Sequence, residues 1–348
     1  MVDFGTFLGM LISNPILIVI LALTLGATVV NGATDAPNAI STVVGTRTMS
    51  PGKAIIMAAI CNFVGLLVIV SINSAVANTI FNMVNFGDDV HYALLALAAA
   101  MISIIVWGGA AWALGIPTSQ SHSLIAGLTG AAIGVMSGVD GINIDAWMLV
   151  IYGLIISSCL GFACGYVFTK GLEKLCGGMD RRKTTGFWNW ALKIAGAGVA
   201  LMHGAQDGQK FLSICMLGIL LCMGTTNTAD VQFPLWLIIL CAASMGLGTA
   251  VGGKRIIKSV GLDMVKMEPY QGFAASASTV FCLALSTFTG MPVSTTQTST
   301  TAIMGVGASK RLRAVKWDMA GNMVLTWILT FPGCGIIGFV LAKIFLLF

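Results

Sequence analysis

Of 348 residues, 57% are hydrophobic and 9% charged. That is too little charge to cover a water-facing surface, which excludes a soluble globular protein and predicts a polytopic helical protein with the lipid bilayer as its solvent. The formal net charge of +5 is scattered over short loops, so no nucleic-acid partner is implied and the basic residues serve as topology markers.

Asp3 stands where a signal peptide would carry basic residues, so the first apolar run is expected to be retained. Residues 15–31 begin a span that meets Gly32 and Pro37 before running on through 39–46, a pattern that predicts a broken helix. Pro51 opens a second span over 51–72. The connection 73–91 holds Asp88, Asp89 and His91 but no Lys or Arg. A span over 92–114 ends in Gly115-Ile-Pro-Thr-Ser-Gln-Ser-His-Ser123, and the short apolar run 124–136 predicts the returning arm of a re-entrant hairpin. The loop 137–145 is acidic, and 146–169 is a further span. A basic linker, 170–186, then separates a first repeat (1–169) from a second (187–348).

The pattern begins again. Residues 187–202 lead into His203-Gly-Ala-Gln-Asp207, and 211–223 complete what is expected to be a second broken span. After 223–233, with Asp230, come a span at 234–252 and a loop with Lys254, Arg255, Lys258 and Lys266. Residues 270–289 lead to Gly290-Met-Pro-Val-Ser-Thr-Thr-Gln-Thr298, a short arm 299–309, the basic loop 310–316 and a last apolar run 317–348, expected to kink near Pro332. The positive-inside rule makes 47–53, 170–183, 254–266 and 310–316 cytoplasmic, and 73–91, 137–145, 223–233 and both termini external. Each half then crosses three times, so the second enters upside down relative to the first. Inverted-topology repeats with broken helices and two re-entrant hairpins point to a secondary transporter in the plasma (inner) membrane, its site at the repeat interface.

Two doubled motifs carry the chemistry. Gly-Ala-x-Asp places Asp35 and Asp207 172 residues apart in apolar surroundings, where an ionisable group is costly and functional by default. Such acids repel an anion unless a cation or proton intervenes, and oxygen ligands suit a small hard cation. Asn38 follows Asp35 on the same helical face; Lys210 takes that place after Asp207, free either to pair with the acid or to face the substrate. Gly-x-Pro-x-Ser recurs at Gly115–Ser119 and Gly290–Ser294, followed by small hydroxyl residues. Each marks a hairpin tip whose returning helix starts with unpaired N–H groups and a partial positive charge. Two such ends make an anion site, unless the hydroxyls are ordinary helix caps. His122 and His203 either relay protons or are structural imidazoles. Ser121 or Ser119 with His122 would suggest a hydrolase, but adjacent helical side chains do not face one another, so no enzyme is expected.

These motifs, with Val315-x-Trp317 and Trp327-x-x-Thr330-x-Pro332, resemble the inorganic phosphate transporter (Pit) family over nearly the whole chain. The resemblance implies a usually dimeric carrier that moves phosphate inward with Na+ or H+ or as a metal–phosphate complex, with no other cofactor. It implies that Asp35 and Asp207 bind the coupling cations, with Thr34, Asn38 and Gln206 beside them. It implies that phosphate is held by Thr118, Ser119, Gln120, Ser121, Ser294, Thr295 and Thr296, with Lys210. Where the family has Gly-Ala-Asn-Asp, this chain has Thr34 and Gln206 in place of Asn, which leaves a proton in contention with sodium. A sulfate carrier is the alternative.

Overall fold

The computed structural model describes residues 3–87, 89–114, 116, 118–224, 231–252 and 265–347. Gly115, Pro117, Asp88, Asp230, Lys254, Arg255 and Lys258, to which hairpin-tip or loop roles fall, lie outside the described residues. Among the described residues the chain is helical, without a β-strand, and seven helical stretches are long and apolar enough to cross a membrane. The protein is an all-α integral membrane protein.

In chain order the helices are α1 (Phe4–Ser13), α2 (Pro15–Thr34), α3 (Ala36–Gly45), α4 (Pro51–Ile72), α5 (Ala75–Phe81), α6 (Val90–Leu114) and α7 (Gln120–Met136). They continue with α8 (Ile144–Cys176), α9 (Arg181–Cys222), α10 (Leu235–Gly252), α11 (Pro269–Phe288), α12 (Thr295–Lys310) and α13 (Trp317–Phe345). The starts follow local chemistry. Pro15, Pro51 and Pro269 sit in first turns, where a missing N–H costs nothing. Ser119 and Ser294 cap α7 and α12 by accepting the N–H of His122 and Gln297.

The two acid motifs fold differently. The first span breaks at Asp35, between α2 and α3, because Pro37 lacks the N–H that would continue the ladder. The second does not break: α9 runs through Asp207 as one helix of 42 residues. The expectation of two broken spans is corrected for this half. The counterpart of Pro37 is Gln209, whose backbone N–H keeps the helix intact. Its side chain receives the Ala77 N–H at 3.3 Å and donates to the Asn73 carbonyl at 3.0 Å, docking α5 against α9. Neither α1 nor α5 is apparent from apolar spacing, since each is too short to show a period. The segment 170–186 is helical on both sides of 177–180, and α13 continues as helix through Pro332.

Contacts between helices recur in pairs. If α2 is exchanged with α9, α4 with α10, α6 with α11, α7 with α12 and α8 with α13, the main neighbours map onto one another. Thus α4 against α9 becomes α10 against α2, and α7 against α13 becomes α12 against α8. Close approaches follow the same rule. Gly65 meets the Leu201 carbonyl as Gly248 meets that of Val29, and Gly130 meets the Gly335 carbonyl as Gly305 meets that of Phe162. At each, a Cβ would overlap backbone, and such small-residue contacts are what join helices where lipid removes the hydrophobic drive. Each hairpin, α6–α7 or α11–α12, thereby packs its returning helix on the last helix of the other half. This brings the two tips together.

Candidate functional site

At the centre the two helix caps touch: Ser119 Oγ lies 2.8 Å from Ser294 Oγ. The N-termini of α7 and α12 therefore converge, each with unpaired N–H groups and partial positive charge. The second tip turns through Gly290, whose φ of 71° needs glycine.

Asp35 and Asp207 approach these ends from α2–α3 and α9, each about 1% exposed. Asp35 Oδ2 accepts the N–H of Gln120, the first residue of α7, at 3.2 Å. At the corresponding residue of α12, Thr295 donates its hydroxyl to Asp207 Oδ2 at 3.0 Å. One ligand atom each from Asp35, Asp207 and His203 lie within 4.8 Å of one another. Two carboxylates so close, away from water, require compensation.

Lys210 supplies it on one side. Its ammonium donates to Asp207 Oδ1 at 2.7 Å, Ser121 Oγ at 2.6 Å and the Val293 carbonyl at 2.6 Å, using all three protons. The open choice between ion pair and substrate-facing ammonium falls on the ion pair in this conformation. In the first half Asn38 occupies the place of Lys210, and its Nδ2 donates to Thr296 Oγ1 at 2.9 Å. Asp35 Oδ1 and Asn38 Oδ1 are buried acceptors without a hydrogen-bond donor among the described residues.

The remaining expected site residues are all buried, and they divide. Thr118 Oγ1 has no hydrogen-bond partner among the described residues. Thr34 spends its hydroxyl proton on the Val30 carbonyl of its own helix at 2.9 Å. Gln206 donates to the Met291 carbonyl at 3.0 Å, holding the second hairpin rather than its neighbouring acid. The Gln120 side chain lies against Gly108 of α6, so only its backbone N–H faces Asp35. His122 stacks near the Phe331 ring, 4.9 Å between centroids, and forms no hydrolase-like pair with Ser121, whose oxygen is taken by Lys210.

A relay on α4 and α10 was not legible from the doubled motifs. Thr249 donates to the Met245 carbonyl at 2.9 Å and therefore accepts from Asn62 Nδ2 at 2.8 Å. That fixes the Asn62 amide with its oxygen toward His203 Nδ1, 2.9 Å away, so Nδ1 carries hydrogen and Nε2 faces Asp207 Oδ2 at 3.3 Å. Asn62, an amide in an otherwise apolar span, was the available signal.

The chain is similar to known proteins over nearly its whole length. The phosphate transporter family model matches residues 31–180 and 176–338. A probable low-affinity inorganic phosphate transporter of Bacillus subtilis (strain 168) is 33% identical over 342 residues, covering 97% of this chain and 100% of the relative. Its counterpart from Rhizobium meliloti (strain 1021) is 32% identical over 93% of this chain and 94% of the relative. A solved structure described as the sodium-dependent phosphate transporter superposes with a TM-score of 0.87 at 19% identity, over 96% of this chain and 99% of that one.

Proposed function

The chain belongs to the phosphate transporter family, and from that premise we propose that it is a cation-coupled symporter taking up inorganic phosphate across the plasma (inner) membrane by alternating access. It is a transporter and not an enzyme. The two halves act as inverted repeats, and the helix contacts that map onto one another support this. The two hairpins are re-entrant, and their tips hold phosphate through Thr118, Ser119, the Gln120 N–H, Ser121, Ser294, Thr295 and Thr296. The coupling ion, Na+ or H+, binds at the acids. A homodimer is the assembly that accompanies this reading, with both termini outside.

One observation carries the coupling. The donors that would hold an anion now serve the acids: the Gln120 N–H binds Asp35, and Thr295 binds Asp207. A cation or proton on the carboxylates weakens their hold on those donors and removes the like charge that would repel phosphate. The helix ends and hydroxyls are then available to the tetrahedral anion. Phosphate without a cation meets two acids; a cation without phosphate leaves converging helix dipoles facing added positive charge. The loaded site therefore favours both together.

Uptake of labelled phosphate by proteoliposomes, under an imposed sodium or pH gradient, tests this. Gradient-driven accumulation, displaced by excess unlabelled phosphate and not by equal sulfate, is expected. Reconstituted, folded protein without gradient-driven uptake contradicts it, and preferential displacement by sulfate moves the substrate to that anion.

A further inference from the structure

The acids and the capping serines of the two halves correspond, but Lys210 stands where the first half has the neutral Asn38. The Lys210 ammonium is held by Asp207 Oδ1, Ser121 Oγ and the Val293 carbonyl at 2.6–2.7 Å. Under the sequence correspondence, Asp207 maps to Asp35, Ser121 to Thr296, Val293 to Thr118 and Lys210 to Asn38. The corresponding contact is present on the first side, since Asn38 Nδ2 donates to Thr296 Oγ1. An amide is shorter than a lysine and neutral, however. On that side Asp35 Oδ1 and Asn38 Oδ1 are buried with no donor among the described residues, whereas on the other Asp207 Oδ1 is satisfied by the ammonium.

We propose that Lys210 is a tethered cation standing in for one coupling ion, so that the site takes a single exchangeable monovalent cation, between Asp35 and Asn38. An oxygen-only pair of carboxylate and amide suits a hard cation such as sodium. A proton on Asp35 donating to Asn38 Oδ1 serves the same charge. The second cation never leaves, because it is covalently part of α9. Lys210 therefore sets how many ions cross with each phosphate. This rests on the symport reading above and adds the ion count to it.

The test measures the coupling number. With membrane potential clamped, the phosphate gradient that halts net flux is determined against an imposed sodium gradient at equal pH, then against a pH gradient without sodium. The ion that drives uptake is thereby identified. For wild type with sodium the balancing phosphate gradient follows the first power of the ion gradient. In Lys210→Asn, which restores the first half's chemistry in the second, the exponent is higher by one. In Asn38→Lys, which tethers a cation on both sides, it falls by one. An exponent of two for sodium in wild type, or an unchanged exponent in an active Lys210→Asn, overturns the inference while leaving symport intact. If both variants fail to fold, the wild-type exponent alone decides. Wild-type protein with no gradient-driven uptake refutes the underlying symport reading instead.

Discussion

Ser119 and Ser294 cap two helices from opposite halves of the chain and meet oxygen to oxygen at 2.8 Å. Two helix N-termini thus face one point with their positive ends, an arrangement that repels itself unless negative charge lies nearby. Asp35 and Asp207 provide that charge here, and under the proposed function phosphate provides it in the loaded carrier. Ser119→Ala removes one cap and one donor at that point. Its expected cost is about 1 kcal/mol in stability, with a rise in the half-saturation for phosphate of roughly fivefold. Thermal unfolding and uptake kinetics on the same preparation measure the two effects.

The Asp207–Lys210 pair is buried on both sides, each partner about 1% exposed. Removing one member leaves a charge without its partner, which costs roughly 3–5 kcal/mol. Asp207→Asn is accordingly expected to lower thermal stability sharply and abolish coupled uptake. The double variant Asp207→Asn/Lys210→Met, with neither member of the pair left charged, regains most of the stability but not the uptake. A double variant as unstable as the single one would show that the loss does not come from the orphaned ammonium.

The glycines that join the halves give a packing test. Gly130 has no room for a Cβ against the Gly335 carbonyl, whereas a Cβ at Gly109 meets nothing within 4 Å among the described residues. Gly130→Ala is expected to destabilise by about 1–3 kcal/mol. Gly109→Ala, in the open on α6, gains about 0.5–1 kcal/mol from helix propensity. Melting temperatures in one detergent compare them directly, and equal shifts would argue against the close approach of α7 to α13.

Continuity of α9 at Gln209 yields a third contrast. Gln209→Pro recreates the first half's break inside a helix that is otherwise unbroken. It removes a ladder hydrogen bond and the two side-chain bonds to Ala77 of α5 and to Asn73 just before it, for an expected loss of about 3 kcal/mol or more. Unchanged stability of this variant would mean that the second motif tolerates a break as the first does.

Much of this was legible in the sequence, and the limits have physical causes. The spans follow from apolar length, and the starts of α7 and α12 from the serines that end the paired Gly-x-Pro-x-Ser motifs. Burial of Asp35 and Asp207 follows from the company they keep. Pro37 gave the break in the first acid motif correctly. The error was to extend it to Asp207 by analogy, although Gln209 has the N–H that Pro37 lacks. The direction of side chains was also beyond reach. Thr34 and Gln206 are neighbours of the acids in sequence, yet one turns back on its own helix and the other bonds to Met291. Helical backbone next to a residue does not determine where its rotamer points. Asn62 and Thr249 lie outside any repeated motif, and only packing of α4 between α9 and α10 brings them to His203.

The most direct test of the central claim is the linkage between the two ligands. Phosphate affinity of the purified carrier is measured by titration calorimetry at constant ionic strength, with and without sodium, and again without sodium at lower pH. Because Gln120 and Thr295 are engaged by the acids, one of these two cations should tighten phosphate binding about tenfold, and phosphate should tighten binding of that ion by the same factor. Phosphate affinity that is unchanged or weakened by both sodium and protons would contradict the account.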